Sequence, residues 1–265
     1  MKSPSRLRAV MLDWAGTTVD HGSIAPIVAL QELFTRHGIE LSAPDARRAM
    51  GLLKKDHIRT ILELTVIREQ WRATVGRDPG DEEVELLFEE FRPLQKAVLL
   101  RHSQPIDGVA RITTSWKARG LRIGSTTGYT REMLDPVAAH AAENGYWPDT
   151  SVCPDEAGAG RPAPWMLARN AQLLDVYPPS ACVKIGDTVS DIEEGKNAGM
   201  WTIGITRTGN LIGLNAAAWS ELPAVEKESR LRSAGEILMA AGADFIAEDL
   251  PACDEILTRI EQRIS

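Results

Sequence analysis

Three short polar stretches and one pair of lysines carry the groups that could do chemistry. Asp13 ends an apolar run over residues 7–12, Thr126 and Thr127 end a second over 121–125, and Gly186 and Asp187 end a third over 182–185, with Asp191 four residues on. Asp, Thr and Gly after a strand are ordinary turn and helix-cap residues when met singly. Together, a carboxylate at the end of one strand and a Gly-Asp-x-x-x-Asp at the end of another can converge on one divalent cation. Oxygen-only ligands with few carboxylates suit Mg²⁺, which keeps waters and pairs with a phosphoryl group. Asp13 is then placed to attack phosphorus. Thr127 and the backbone amides at the next helix start are placed to hold the phosphoryl oxygens.

Strand ends converge only if the strands share a sheet, so the pattern between them matters. From residue 105 onward strand-like runs (121–125, 182–185, 200–205, 244–247) alternate with helix-like ones (109–119, 130–144, 164–174, 190–198). That alternation implies βαβ units, a parallel sheet, and a site at the carboxyl ends of its strands. Residues 24–101 lack a convincing strand and read as helices over 26–36, 45–72 and 81–101. About eighty residues are too many for a loop, so the expected organisation is core 1–20, helical lobe 21–104, core 105–265. The polar stretch 216–236 is helix-prone without visible chemistry.

Composition sets the outer limits. The chain has 265 residues, a net charge of −7 and a pI near 5.4. A polyanion would meet a repulsive mean field, so nucleic acid is not an expected partner. With 43% hydrophobic and 25% charged residues the chain is expected to fold as a globular protein. Cys153, Cys182 and Cys253 are odd in number and widely spaced, which fits neither a disulfide scaffold nor a zinc knuckle and suits a reducing compartment. The first residues carry too short an apolar run for a signal peptide, and no stretch approaches a membrane span. A cytoplasmic location and no membrane partner are the expectations. Neither G-x-x-x-x-G-K-[ST] nor G-x-G-x-x-G follows a strand, which disfavours nucleotide-binding loops.

The segments DWAGTTVD (13–20), MGLLKKDH (50–57), GSTTGYTREM (124–133), AGRPAPWM (159–166) and GDTVSD (186–191) resemble, in order, the haloacid dehalogenase superfamily. Within it they are most similar to the branch that cleaves carbon–phosphorus bonds, the phosphonatases. The resemblance implies an α/β fold with a Rossmann-like parallel core and an inserted all-helical cap. It implies hydrolysis of phosphonoacetaldehyde to acetaldehyde and phosphate with Mg²⁺. Asp13 would be the nucleophile. Asp13, Asp187 and the backbone carbonyl of Ala15 would hold the metal, with Asp191 behind them. Thr127, Gly128 and Arg161 would bind the phosphoryl group. Superfamily members that expel oxygen leaving groups commonly carry an acid two residues after the nucleophile. Here Ala15 stands there, as befits a carbon leaving group.

Such a bond breaks only if the carbon's electrons have a sink, which the resemblance assigns to a lysine forming a Schiff base with the aldehyde. On a helix through this region Lys54 shares a face with Met50, His57, Ile58 and Ile61, whereas Lys55 faces Arg59. Lys54 is therefore the expected amine, its pKa lowered by desolvation. His57 would transfer protons, and Met50 would support it. The resemblance also implies a small phosphonate as the substrate and a homodimer through the cap. The alternatives are another capped phosphatase, phosphomutase or dehalogenase of the superfamily, and a non-catalytic module that binds a phospho-ligand.

Overall fold

The computed structural model describes residues 7–48 and 54–264. Six strands form one sheet: β1 (Ala9–Leu12), β2 (Arg122–Thr126), β3 (Thr150–Val152), β4 (Cys182–Gly186), β5 (Trp201–Ile205) and β6 (Phe245–Ala247). The order is β3-β2-β1-β4-β5-β6, and every pairing is parallel. Both β1 and β4 are buried along their whole length, as expected of strands covered on both faces. The strand order reverses on either side of β1, and open α/β sheets place ligands beyond the strand ends at such a point. Register makes that position specific. Leu12 lies opposite both Ser125 and Ile185, so Asp13, Thr126 and Gly186 come level at the edge of the sheet.

The chain divides into two compact units, residues 25–102 and the remainder. The smaller contains α1 (Ala25–Arg36), α2 (Ala43–Arg47), α3 (Lys54–Leu62), α4 (Thr65–Val75) and α5 (Asp81–Arg101), with no strand among its described residues. α5 packs against α1 and α3. Leu30, Leu33 and Phe34 of α1 and Leu87, Phe91 and Val98 of α5 are buried, as helical spacing requires of an apolar stripe.

The expected single helix over 45–72 is instead divided. α2 ends at Arg47, and α3 and α4 are separated by Glu63 and Leu64, the latter extended at ψ 130°. The break lets Ile61 and Leu62, then Ile67 and Trp71, all turn inward, which one straight helix would not allow.

In the larger unit the sheet is covered by α6 (Val109–Ala118), α7 (Arg131–Glu143), α8 (Pro154–Ala157), α9 (Trp165–Leu174), α10 (Val189–Asn197), α11 (Ala216–Glu221), α12 (Ala224–Ala240) and α13 (Cys253–Glu261). The stretch 216–236 is α11 and most of α12. β3 was not anticipated, because three residues at a sheet edge leave no periodicity to detect. No helix of the described residues is long and apolar enough to cross a membrane.

Candidate active site

Asp13 is fixed immediately after β1, where its backbone N–H still donates to Ile185 O at 3.0 Å. The chain then turns tightly. Thr18 and Val19 N–H both donate to Trp14 O, Gly16 N–H donates to Val19 O, and Thr18 Oγ1 donates to Asp13 O at 2.9 Å. Gly16 sits at φ 86°, and a Cβ there would lie 2.4 Å from Asp187 Oδ2. Only glycine lets this turn approach the second carboxylate. The Trp14 side chain points into the core, donating from Nε1 to Ser125 Oγ at 2.9 Å and meeting the Tyr146 ring edge-on. Two residues beyond Asp13, Ala15 presents a methyl group and no acid.

Asp187 follows β4 and accepts from Asn210 N–H at 2.6 Å and from Thr17 Oγ1 at 3.4 Å. Asp191 occupies the first turn of α10, where its Oδ2 accepts from Thr188 N–H and Thr188 Oγ1 in a capping box. Its Oδ1 points the other way, 2.9 Å from both Arg161 Nη1 and Lys184 Nζ. One carboxylate oxygen from each of Asp13, Asp187 and Asp191 can be chosen so that all three lie within 4.8 Å of one another, and all three residues are buried.

Arg161 is the cation of this cluster and not a surface residue. Its Nη2 donates to Asp13 Oδ1 at 2.5 Å and to Thr126 Oγ1 at 3.0 Å, and its Nε to Glu194 Oε2 at 3.1 Å. Thr127 is buried and its Oγ1 accepts from Tyr129 N–H at 3.1 Å, while Gly128 beside it is exposed. Two participants escaped sequence reasoning, Lys184 and Glu194, both fully buried; Thr126, read from sequence as a strand-end residue, joins them through its hydroxyl. A lysine inside the apolar run CVKIG is the one signal that pointed to them.

Four buried acids (Asp13, Asp187, Asp191, Glu194) thus face two cations, the buried Lys184 and the largely covered Arg161. Formally this leaves an excess of two negative charges in the cluster. Burial raises the Asp13 carboxyl, Arg161 counteracts it, and the Asp191 charge adds to the rise. Asp187 stands well above its ordinary value, through burial and then the charges of Asp13 and Asp191. Burial would also raise Asp191, but Arg161 and Lys184 outweigh it and hold that carboxyl low. Buried oxygen donors short of positive charge fit a divalent metal ion.

In the helical unit, Lys54 opens α3 and is half-buried. It has no hydrogen bond or ion pair among the described residues, whereas Lys55 is paired with Glu85. Loss of hydration lowers the Lys54 ammonium to about 8. His57, buried one turn on, approaches Ala46 O at 2.7 Å through Nε2. A carbonyl only accepts, so that nitrogen carries the proton, and the buried Nδ1 has no hydrogen-bond partner among the described residues. Burial, then the charge of Lys54, lowers this imidazole to about 4 against the pull of the Ala46 carbonyl. Met50 lies outside the described residues.

The family model for haloacid dehalogenase-like hydrolases matches residues 7–199. The chain is 42% identical over 258 residues to a phosphonoacetaldehyde hydrolase of Bacillus thuringiensis (strain Al Hakam), covering 97% of this chain and 98% of that protein. A phosphonoacetaldehyde hydrolase of Bacillus anthracis is equally similar in identity and coverage. A crystal structure of a phosphonoacetaldehyde hydrolase-like protein from Oleispira antarctica aligns with a TM-score of 0.91 at 35% identity, over 100% of this chain and 97% of that one. The buried acid–base cluster at the β1 and β4 ends therefore belongs to a known lineage: the chain is a member of the haloacid dehalogenase-like hydrolases and, among them, of the phosphonoacetaldehyde hydrolase family.

Proposed function

We propose that this chain hydrolyses the carbon–phosphorus bond of phosphonoacetaldehyde, giving acetaldehyde and phosphate. The observation that carries this reading is Lys54, a half-buried amine lowered to about 8 and with no hydrogen bond or ion pair among the described residues, beside a lysine already bound to Glu85. Its free-base fraction near neutral pH is adequate for attack on an aldehyde.

The Lys54 amine adds to the substrate carbonyl, water leaves, and a protonated imine results. Asp13 Oδ attacks phosphorus. The electron pair of the carbon–phosphorus bond moves into the imine, so carbon departs as an enamine and Asp13 becomes an aspartyl phosphate. Arg161, the Thr127 hydroxyl and the Gly128 amide bind the phosphoryl oxygens as charge redistributes. Water cleaves the aspartyl phosphate, while the enamine takes a proton on carbon and is hydrolysed to acetaldehyde, restoring Lys54. His57 accepts and returns a proton at Nδ1 during imine formation. Ala15 serves the same chemistry by omission, since an enamine leaving group needs no acid at that position.

Asp13, Asp187 and the Ala15 carbonyl would hold Mg²⁺, with Asp191 supporting them from behind. The ion would neutralise the surplus charge of the cluster and of the phosphoryl oxygens. Lys54 and Asp13 belong to different compact units, so the reaction requires both to engage one substrate molecule. Association of two copies through the helical unit completes the reading. The three cysteines are free and buried, which supports the cytoplasm as the working compartment.

The test is acetaldehyde and phosphate release from phosphonoacetaldehyde with and without EDTA. Stoichiometric release with Mg²⁺ and none with EDTA is expected. Release unaffected by EDTA contradicts the metal assignment, and no release at all contradicts the substrate.

A further inference from the structure

Beneath Arg161 lies a second cation that no step of the reaction requires. Lys184 is fully buried at the middle of β4, a strand otherwise covered by apolar contacts on both faces. A lysine there is expensive unless paired. Its Nζ donates to Thr126 Oγ1 at 2.8 Å and lies 2.9 Å from Asp191 Oδ1 and 3.3 Å from Glu194 Oε2. Thr126 Oγ1 in turn donates to Glu194 Oε2 at 3.0 Å and accepts from Arg161 Nη2. That hydroxyl thereby uses its hydrogen and both lone pairs.

The fold also makes room for this lysine. α10 carries Gly195 in its interior, where a glycine costs about 1 kcal/mol relative to alanine. A Cβ at that position would lie 2.5 Å from Thr202 Cγ2 and 2.9 Å from Lys184 Cβ. The close packing of α10 against β4 and β5 is what puts Glu194 within reach of both cations.

We propose that Glu194 and Lys184 are positioning residues that fix the plane of the Arg161 guanidinium for the phosphoryl group. Glu194 takes the Nε hydrogen and Thr126 takes one at Nη2, which turns the remaining Nη2 edge toward Asp13. Lys184 holds Glu194 and Thr126 in that arrangement from the far side. A guanidinium presents a planar fork, so a rotation about its long axis would cost it phosphoryl contacts even with its charge unchanged. The inference rests on the proposed role of Arg161 in phosphoryl binding.

The experiment measures inorganic phosphate binding to the Mg²⁺-loaded protein by calorimetry, together with borohydride trapping of the Lys54 imine. Glu194→Asp keeps the charge but shortens the reach to Nε, and should weaken phosphate about tenfold or more. Glu194→Gln retains an acceptor and should stay within about threefold of wild type. Imine trapping should proceed at the wild-type rate in both, since Lys54 is untouched. In an Arg161→Ala background, Glu194→Asp should produce no further loss of phosphate affinity. A Glu194→Asp protein that binds phosphate like wild type, or whose loss persists in full without Arg161, overturns the proposal. If Arg161→Ala alone leaves phosphate affinity unchanged, the role assigned to Arg161 fails, and the positioning proposal fails with it. Should Glu194→Asp not fold, Thr126→Ser and Thr126→Val replace it: serine should preserve phosphate affinity and valine should lose it, and equal affinities overturn the proposal.

Discussion

An amine that must attack an aldehyde has to shed its proton near neutral pH, and Lys54 meets that demand through lost hydration alone. The rate of imine trapping should therefore climb between pH 7 and 9 with a midpoint near 8. A midpoint near the ordinary lysine value, about 10.4, would mean the amine is fully hydrated. Lys54→Arg should abolish trapping, whereas Lys55→Ala, which removes only the pair with Glu85, should retain at least about half the rate. Gly16 offers a second test at this scale. Its φ of 86° and the 2.4 Å approach to Asp187 mean that Gly16→Ala should cost about 2 kcal/mol of stability, read by urea unfolding. Asp13, Asp187, Thr127 and Arg161 could be singled out as candidates from sequence because each ends a readable strand or lies in a distinctive motif. Glu194 was not, because on α10 it reads as one more helix-surface acid; only tertiary packing buries it.

The elements deliver these residues through register and helix packing. β1, β2, β4, β5 and β6 were legible because buried parallel strands write themselves as short, mainly apolar runs bounded by polar and turn residues. β3 was too short to register, and the 45–72 region was misjudged in part because helical periodicity persists from α3 into α4 across the break at Glu63 and Leu64. In α3, Lys54 stands one turn from His57, and His57, Ile58 and Ile61 of that helix turn inward. At the other unit, the contact of α10 with β4 is set by Gly195. Gly195→Ala should push Lys184 and Thr202 apart, lower the melting temperature, and weaken phosphate binding by about threefold or more. Wild-type melting and phosphate affinity in that variant would show that the close approach is dispensable.

Over the whole molecule, charge balance and pH govern stability. Four buried acids against two cations predict that MgCl₂ raises the melting temperature, as any ligand selective for the folded state must. Asp187→Asn should largely remove that shift; an undiminished shift would place the ion elsewhere. His57 sets a second dependence. Its folded value of about 4 lies below the unfolded 6.5, so the unfolded chain binds more protons in between. The His57 contribution is therefore intact above about pH 6.5 and is lost as pH falls toward 4. His57→Gln should flatten that part of the stability profile, and an unchanged slope would assign it to other groups. The eighty-residue helical interruption between the first two strands was legible in the sequence, while the acid–base network beneath the site needed three-dimensional proximity to emerge.

Borohydride reduction in the presence of phosphonoacetaldehyde, followed by peptide mapping, in wild type and in Asp13→Asn tests the Lys54 imine and the Asp13 nucleophile together. A reduced two-carbon phosphonate adduct on Lys54 is expected in Asp13→Asn, with no phosphate released. An adduct confined to another lysine, or phosphate release at the wild-type rate from Asp13→Asn, would contradict the mechanism.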